Sequence, residues 1–143
     1  MILNLTQHTA TPEQQAAGVI DLSEPELSKL RRLLTFETLP TAEEIFRRAK
    51  AIARLAEYEA ARRLGLTDVG GHPAADLTNH GVSAMIGGAP YLMATLERAL
   101  RARGIKPLYA FSRRESVEQT MPDGSVRKMA VFRHLGFVSP SGS

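Results

Sequence analysis

The chain has 143 residues, a length typical of one domain, and 43% of them are hydrophobic, which suffices for an ordinary core. Its formal net charge of +3 is mildly basic and favours acidic ligands without requiring a nucleic acid. There is no cysteine, which excludes disulfide bonds, thiolate zinc sites and a cysteine nucleophile. No apolar stretch approaches the roughly 18 residues that span a bilayer, and the amino terminus lacks a signal-peptide pattern, so we expect a cytoplasmic protein without a membrane partner.

The beginning of the chain predicts two short strands that flank a capped helix. The apolar run ILNL (2–5) predicts the first strand, and VIDL (19–22) predicts the second. Between them, Thr11 and Gln14 have the spacing of a capping box. Pro12 occupies the first helical position, where its missing N–H costs nothing. The chain therefore begins with alternating strand and helix.

Residues 23–65 predict a helical insertion. Ser23 and Glu26 repeat the capping-box spacing before leucines at 27, 30 and 34, and Thr41 with Glu44 begins the longest helix, at about 42–64. This helix carries opposite charges four positions apart, which favours a solvated face over a nucleic-acid stripe: Glu43 with Arg47, Glu44 with Arg48, and Glu59 with Arg63.

The second half predicts one βαβ unit followed by a hairpin. Residues 66–81 are rich in turn formers, which predicts a loop. The pattern of apolar residues then predicts a strand at 82–86, a helix at 90–103 and a further strand at 105–111. Such a unit joins parallel strands through a right-handed crossover. Pro122-Asp123-Gly124 predicts a turn between two strand-like runs, and the residues from 134 onward predict an irregular end.

These elements together predict one compact, three-layer, Rossmann-like α/β domain over residues 1–138, with a mainly parallel sheet and a carboxyl-terminal β-hairpin. The helical insertion covers about 23–65, and residues 139–143 are predicted to form a disordered tail. In open α/β sheets, ligands bind outside the carboxyl ends of the strands. Polar residues at those ends are therefore the first candidates for a site.

The candidate ligand-binding residues lie in two strand-to-helix turns: Thr6, Gln7, His8 and Thr9 in the polar turn, and Gly87, Gly88 and Ala89 in the glycine turn. The polar turn offers hydroxyl, amide and imidazole groups. The glycine turn offers bare backbone N–H groups ahead of a helix, whose dipole favours an anion. If the two preceding strands are neighbours, both turns open into one crevice. The alternatives are a solvent-facing loop for the first turn and a tight βα connection for the second.

Basic residues near the predicted hairpin are the candidate phosphate ligands. Arg113 and Arg114 lie just past the predicted strand end, at the edge where a ligand would bind. Lys128 lies in the return strand, where alternation places it on the face opposite to Arg127. The structural alternative is a cross-strand pairing of Glu118 with Arg127 or Lys128.

Neither a metal site nor a cofactor is expected. His72, Asp76 and His80 are four residues apart and would share one face of a continuous helix, as metal ligands can. Pro73 and the flanking glycines oppose a regular helix there, so the loop interpretation prevails. The sequence also lacks the motifs of a metalloprotease, a calcium-binding loop and a serine nucleophile elbow.

Two stretches, together with the basic carboxyl-terminal hairpin, resemble the small CARF-like proteins, Rossmann-type domains of type III CRISPR systems that bind cyclic oligoadenylate second messengers. LTQHTATPEQ (5–14) resembles the Ser/Thr-x-His-x-x-Thr-x-x-Gln stretch of the smallest members. IGGAPYLM (86–93) resembles the glycine-containing turn before the main ligand-facing helix of that family. The resemblance covers residues 1–20 and 82–134, whereas the helix at 42–64 has no counterpart in the family.

The resemblance implies a symmetric homodimer that holds one ring-shaped ligand across its two-fold axis. Several members of the family are ring nucleases, in which the 2′-hydroxyl of the ligand attacks the phosphate without a metal. The protein then only aligns the reacting groups and stabilises charge. His8 becomes the candidate acid and base, since histidine exchanges protons near neutral pH. Arg113 becomes the candidate catalytic clamp on the phosphate.

The sequence therefore predicts binding of a cyclic oligonucleotide, or another phosphate-containing small ligand, with metal-independent ring-nuclease activity as the leading mechanism. A non-catalytic sensor or sponge is one alternative, because it needs every feature except proton transfer. A basic RNA- or DNA-binding module is another, although an aromatic content of 6% and the lack of tryptophan disfavour single-strand stacking. We also interpret the chain as a prophage-encoded protein of nucleotide-signalling antiviral defence, an interpretation that rests on no particular residue.

Overall fold

The computed structural model describes residues 1–73 and 76–140. The elements follow in chain order as β1 (Ile2–Leu5), α1 (Pro12–Ala16), β2 (Val19–Asp21), α2 (Glu26–Leu34), α3 (Ala42–Arg63), β3 (Ser83–Ile86), α4 (Pro90–Arg101), β4 (Lys106–Thr120) and β5 (Val126–Val138). None of the helices in the described ranges combines the length and the apolar character that crossing a membrane requires.

The strands form one five-stranded sheet in the order β2-β1-β3-β4-β5. Strand β1 pairs in parallel with β2 and β3, and β3 pairs in parallel with β4, whereas β5 is antiparallel to β4. This order is one of the two common orders of doubly wound α/β sheets. The predicted fold class, a mainly parallel α/β domain with a carboxyl-terminal hairpin, is confirmed.

The alternation of side chains divides the sheet into two unequal faces. Leu3 and Leu5 of β1 are fully buried in the main core, which α2, α3 and α4 cover. The opposite face carries a smaller cluster of Ala10, Val19 and Met85, next to the short helix α1. The large helical layer therefore fixes the sheet from one side, while the other side is thinly covered.

Two of the predicted helix starts have the expected caps. The Thr11 hydroxyl accepts the Gln14 N–H at 3.1 Å, and the Gln14 side chain accepts the Thr11 N–H at 3.0 Å. At the start of α3, the Thr41 hydroxyl accepts the Glu44 N–H at 3.1 Å. The capping interpretation is therefore confirmed for α1 and for the long helix.

The cap predicted at Ser23 is wrong, and so is the solvated position predicted for Glu59. Helix α2 begins after Pro25 without a side-chain cap, because the Ser23 hydroxyl donates to the Glu59 carboxylate at 2.8 Å instead. The Glu59 side chain is fully buried and also binds Arg62 and Arg63. A pattern of charges four residues apart indicates pairing but not exposure, which depends on what packs against the helix.

The carboxyl-terminal strands are longer than predicted. Strand β4 does not end at residue 111 but continues to Thr120, because β5 pairs with it from Val126 to Val138. Its pairing with β3 reaches only to Leu108. Residues 112–134, the ribbon arm, therefore form a two-stranded ribbon with mostly exposed side chains.

The irregular end that the sequence predicts from residue 134 onward is wrong for residues 134–138. These residues continue β5, since the first residues of β4 supply their backbone hydrogen-bond partners. Ser139 and Pro140 have no regular structure, and the Pro140 carbonyl accepts a hydrogen bond from Arg101 at 2.6 Å. The remainder of the predicted tail, 141–143, lies outside the described residues.

Candidate functional site

The two predicted ligand-binding turns open into one cavity, although Ala89, the last residue of the glycine turn, does not line it. Strands β1 and β3 are parallel neighbours with Leu5 opposite Ile86, so their carboxyl ends lie side by side. The chain leaves β1 to one side for β2 and returns to its other side for β3, which makes this the topological switch point of the sheet. Ligands of doubly wound proteins bind at such a point, outside the carboxyl ends of the strands.

The cavity, here called the switch-point crevice, measures about 550 Å³. Its lining combines both turns with the end of β3, the beginning of α1 and the first part of β4: Thr6, Gln7, His8, Thr9, Thr11, Gln14, Met85, Ile86, Gly87, Gly88, Tyr109 and Ala110. The hydroxyl, amide and imidazole groups of the polar turn therefore form one side of the crevice. Apolar side chains and the backbone of the glycine turn form the other side. The size and the mixed lining are typical of small-molecule sites.

Asn4, a residue that sequence reasoning missed, organises the polar turn from below. Its side-chain nitrogen donates to the His8 carbonyl and to the Asp21 carboxylate, each at 2.7 Å. Its side-chain oxygen accepts from the Thr6 N–H at 3.0 Å and from the Thr6 hydroxyl at 2.7 Å. The signal was an asparagine inside the apolar run ILNL, because a buried amide requires partners.

Asp21, the second missed residue, ties the end of β2 to the same turn. Its carboxylate accepts from Asn4 and also from the Ala10 N–H at 3.1 Å. The Asn4–Asp21 pair therefore connects β1, β2 and the segment that leads into α1. Because both side chains are engaged below the turn, the shape of the crevice wall is set before any ligand binds.

Two side chains of the polar turn point in different directions. The Gln7 amide nitrogen donates to the Thr35 hydroxyl at 2.9 Å and to the Arg31 carbonyl at 3.3 Å, which turns Gln7 toward the end of α2. His8 is exposed, and its imidazole makes no hydrogen bond to any described residue. His8 is therefore available to a ligand, whereas Gln7 connects the crevice to α2.

The glycine turn supplies the opposite wall. Gly88 has φ of 140°, a conformation that side-chain-bearing residues rarely adopt. The N-cap residue of α4, Ala89, provides no side-chain hydrogen bond, so the first N–H groups of this helix lack a side-chain partner. Pro90 removes one of those donors without leaving an orphan. The turn therefore lines the crevice with the backbone of Gly87 and Gly88, next to the positive end of the α4 dipole.

Tyr109 is held as a hydrogen-bond donor and is unsuited to proton transfer. Its hydroxyl donates to the Glu97 carboxylate at 2.7 Å. Burial raises the pKa of Tyr109, and the neighbouring Glu97 carboxylate raises it further. The phenol therefore stays protonated at neutral pH. Among the side chains that line the crevice, this leaves His8 as the group that can exchange protons there.

The predicted basic residues lie in the ribbon arm and do not line the crevice. The Arg113 guanidinium contacts the Glu115 carboxylate at 2.7 Å, and Arg133 contacts the other oxygen of Glu115 at 2.9 Å. Arg114 lies opposite Phe132 in the strand register and is exposed. The expected position just past a strand end is wrong for both arginines, because β4 continues through them. Their role toward a ligand stays a prediction.

Lys128 also belongs to the ribbon arm. The strand register places it directly opposite Glu118, as the structural alternative to ligand binding anticipated. Both side chains are exposed. Among the described residues that line the crevice there is no lysine or arginine, so a single copy of the chain offers an anion only neutral donors, His8 and the helix dipole.

The His72, Asp76 and His80 series does not form a helix face. His72 and Asp76 lie in irregular segments and His80 in a turn, as the loop interpretation predicted. The Asp76 carboxylate is occupied by the Thr78 hydroxyl at 2.6 Å and the Thr78 N–H at 2.9 Å, and these hydrogen bonds lower its pKa. Within 1–73 and 76–140, no three metal-ligating side chains come together.

The fold and the crevice define a doubly wound α/β protein with an open pocket at its switch point. Residues 1–138 match the model of the uncharacterized protein MJ1673 family, and the chain belongs to that family. No curated protein and no solved structure matches the chain significantly. The match to this family assigns no activity to the chain. The resemblance to CARF-like proteins and the role in antiviral defence therefore stay predictions.

Proposed function

We propose that the protein binds a phosphate-containing nucleotide in the switch-point crevice, and that its ligand is a cyclic oligonucleotide second messenger. The observation that carries this proposal is the convergence of two strand-to-helix turns, from β1 and from β3, on one cavity. The first part of the proposal rests on that geometry. The ring-shaped ligand rests on the resemblance of residues 5–14 and 86–93 to the CARF-like proteins.

The chemistry of the crevice suits one nucleotide unit. The backbone N–H groups of Gly87 and Gly88, which line the cavity next to the start of α4, would bind phosphate oxygens. The hydroxyls of Thr9 and Thr11 offer further donors, while Met85 and Ile86 provide an apolar surface for a base. This division into a polar side and an apolar side is what a nucleotide requires.

We include metal-independent ring opening in the proposal, with His8 as the acid and base. The 2′-hydroxyl of the ligand loses its proton and attacks the adjacent phosphorus, and the bond from phosphorus to the 5′-oxygen breaks. The leaving 5′-oxygen takes a proton, so the products end in a 2′,3′-cyclic phosphate and a 5′-hydroxyl. His8 is suited to both transfers because it lines the crevice and makes no hydrogen bond to described residues.

A homodimer belongs to the same proposal. The crevice lacks a cationic side chain among its described lining, whereas developing charge on a phosphoryl group needs electrostatic stabilisation. The ribbon arm carries Arg113 and Arg114 and extends past the last β3 contact of β4. In a symmetric dimer, the arm of the partner subunit would bring such cations toward the crevice.

The decisive experiment combines a binding and a cleavage measurement. Purified protein with chelator is incubated with cyclic di-, tri-, tetra- and hexa-adenylates, and thermal shift and mass spectrometry follow each mixture. We expect a thermal shift with at least one ring and a linear product with a 2′,3′-cyclic phosphate that His8→Ala no longer forms. A shift without product would remove the catalytic step and leave a sensor or sponge. No shift with any ring would refute the messenger proposal.

A further inference from the structure

A second cavity lies at the carboxyl-terminal end of α2, beside the switch-point crevice. This α2-end cavity measures about 540 Å³ and is lined by Arg31, Arg32, Thr35, Glu37, Thr38 and Arg48. Three arginines therefore face one carboxylate around a space large enough for a charged group. Such an excess of one charge sign in a concave surface attracts counter-ions.

Arg48 is committed to the protein itself. Its guanidinium donates to the carbonyls of Arg32 at 3.4 Å and Leu33 at 3.3 Å, and also to that of Thr35. Its other terminal nitrogen pairs with Glu44 at 2.8 Å. These contacts satisfy the carbonyl groups left open at the end of α2. Arg48 therefore forms part of the wall of the α2-end cavity, and the Glu44 carboxylate neutralises its charge.

Arg31 and Arg32 are in a different situation. Both side chains are exposed, and among the described residues neither guanidinium has a carboxylate within ion-pair distance. The usual role of basic residues in a last helical turn is to stabilise the open carbonyls. Because Arg48 already occupies those carbonyls, the donors of Arg31 and Arg32 stay available to a ligand.

The two cavities share one wall. Gln7 lines the switch-point crevice, and its amide donates to the hydroxyl of Thr35, which lines the α2-end cavity. The same amide donates to the Arg31 carbonyl. The hydrogen-bonded side chains of Gln7 and Thr35 therefore lie between the two cavities, and a ligand that occupies both would cross over them.

We propose that the α2-end cavity binds a second phosphate of the ligand through Arg31 and Arg32. This inference rests on the proposed function, since the first phosphate lies in the switch-point crevice. Guanidinium groups bind phosphate through two parallel N–H donors, which suits this role. The ligand is accordingly an oligonucleotide with at least two phosphates, and a mononucleotide occupies only half of the site.

The test compares two ligands on two double variants. Calorimetric titration measures the affinity of adenosine 5′-monophosphate and of the linear 5′-phosphorylated adenylyl dinucleotide for the wild type, for Arg31→Ala/Arg32→Ala, and for Arg47→Ala/Arg54→Ala. The last variant removes two exposed cations of α3 that line neither cavity, so it matches the change in net charge. We expect the first variant to lose about tenfold or more in affinity for the dinucleotide and to keep that for the monophosphate.

Each other outcome separates the inference from the proposed function. Equal dinucleotide affinity of the wild type and Arg31→Ala/Arg32→Ala would overturn the second phosphate site and leave the crevice proposal intact. Equal losses in both double variants would show a general charge effect and would also overturn it. If the wild type binds neither compound, the second phosphate site is overturned, whereas the crevice proposal stands or falls with the cyclic adenylates. Both double variants replace exposed side chains, so we expect them to stay folded. A thermal melting curve of each variant checks this.

Discussion

At the scale of single residues, buried polar groups decide the shape of the candidate site. Asn4 is 3% exposed and uses both ends of its amide, so four groups of the surrounding chain depend on it. Sequence reasoning identified the residues that face the crevice because turn and capping patterns are local. It missed the residues beneath them, because an asparagine in an apolar run indicates a buried amide but not the distant groups, such as Asp21, that bind it.

Replacement of Asn4 by alanine should loosen the polar turn. The His8 carbonyl, the Asp21 carboxylate and the Thr6 donors would lose a buried partner, so we expect the free energy of unfolding to fall by about 1–3 kcal/mol. Urea denaturation measures the change, and Asn79→Ala, in an exposed turn, is the matched control. A loss no greater than that of the control would contradict the role assigned to Asn4.

The buried carboxylate of Glu59 should make the stability of the folded protein depend on pH. Burial acts to raise its pKa, but hydrogen bonds from Arg62, Ser23 and Arg63 outweigh burial and lower the pKa from 4.5 to about 2. A carboxyl with a lowered folded-state pKa contributes stability above its unfolded value, and that contribution is lost as the pH falls through the folded value. The stabilisation from Glu59 is therefore complete above about pH 4.5 and disappears toward pH 2.

The corresponding experiment uses Glu59→Gln. We expect it to lower the free energy of unfolding by about 3 kcal/mol at neutral pH, because two arginines lose their buried partner. The difference from the wild type should shrink as the pH falls from 4.5 toward 2. Glu43→Gln, exposed on the same helix, should change little at any pH. A deficit in Glu59→Gln that stays constant with pH would refute the assignment.

At the scale of elements, the connection from β3 to α4 combines a strained turn with an open helix end. The two glycines of this turn differ, which provides a paired test. A methyl group on Gly87 would meet only Thr6 Cγ2, at an ordinary 3.5 Å, whereas Gly88 has φ of 140°. The turn therefore requires glycine only at position 88. The requirement comes from the backbone conformation there and not from a lack of room for a side chain.

Gly88→Ala should destabilise the fold by about 1–3 kcal/mol and weaken ligand binding, because the new residue is strained in that conformation. Gly87→Ala should cost less, since its contact is ordinary and its φ is not positive. Thermal denaturation and titration with the cyclic adenylates measure both effects. Equal losses in the two variants would show that the turn responds to added volume instead of to backbone strain.

In the molecule as a whole, the ribbon arm is the element whose exposed surface is hardest to explain for a monomer. A two-stranded ribbon is marginally stable by itself, and this one exposes large apolar side chains, including Phe132 at 71% and Val126 at 60%. These side chains lie on one face, because their partners Arg114 and Thr120 are an even number of residues apart on β4. The homodimer that we propose would cover this face.

Light scattering tests this prediction. We expect a dimer for the wild type and a shift toward monomer for Phe132→Ser/Val126→Ser. Leu39→Ser, which removes an exposed apolar residue outside the arm, should leave the dimer unchanged. A monomeric wild type at micromolar concentration would refute the homodimer, whereas dissociation by the Leu39 variant alone would place the interface elsewhere on the molecule.

The alternation of strands and helices, the caps of α1 and α3 and the two turns of the crevice could all be predicted from the sequence, because they depend on contacts within a few residues. Three other features follow only from the folded chain: β1 and β3 are neighbours, Glu59 is buried, and β4 continues through Arg113 and Arg114. Each of these depends on a partner far away in the chain. Local patterns specify how a segment folds, whereas burial and strand length depend on what packs against it.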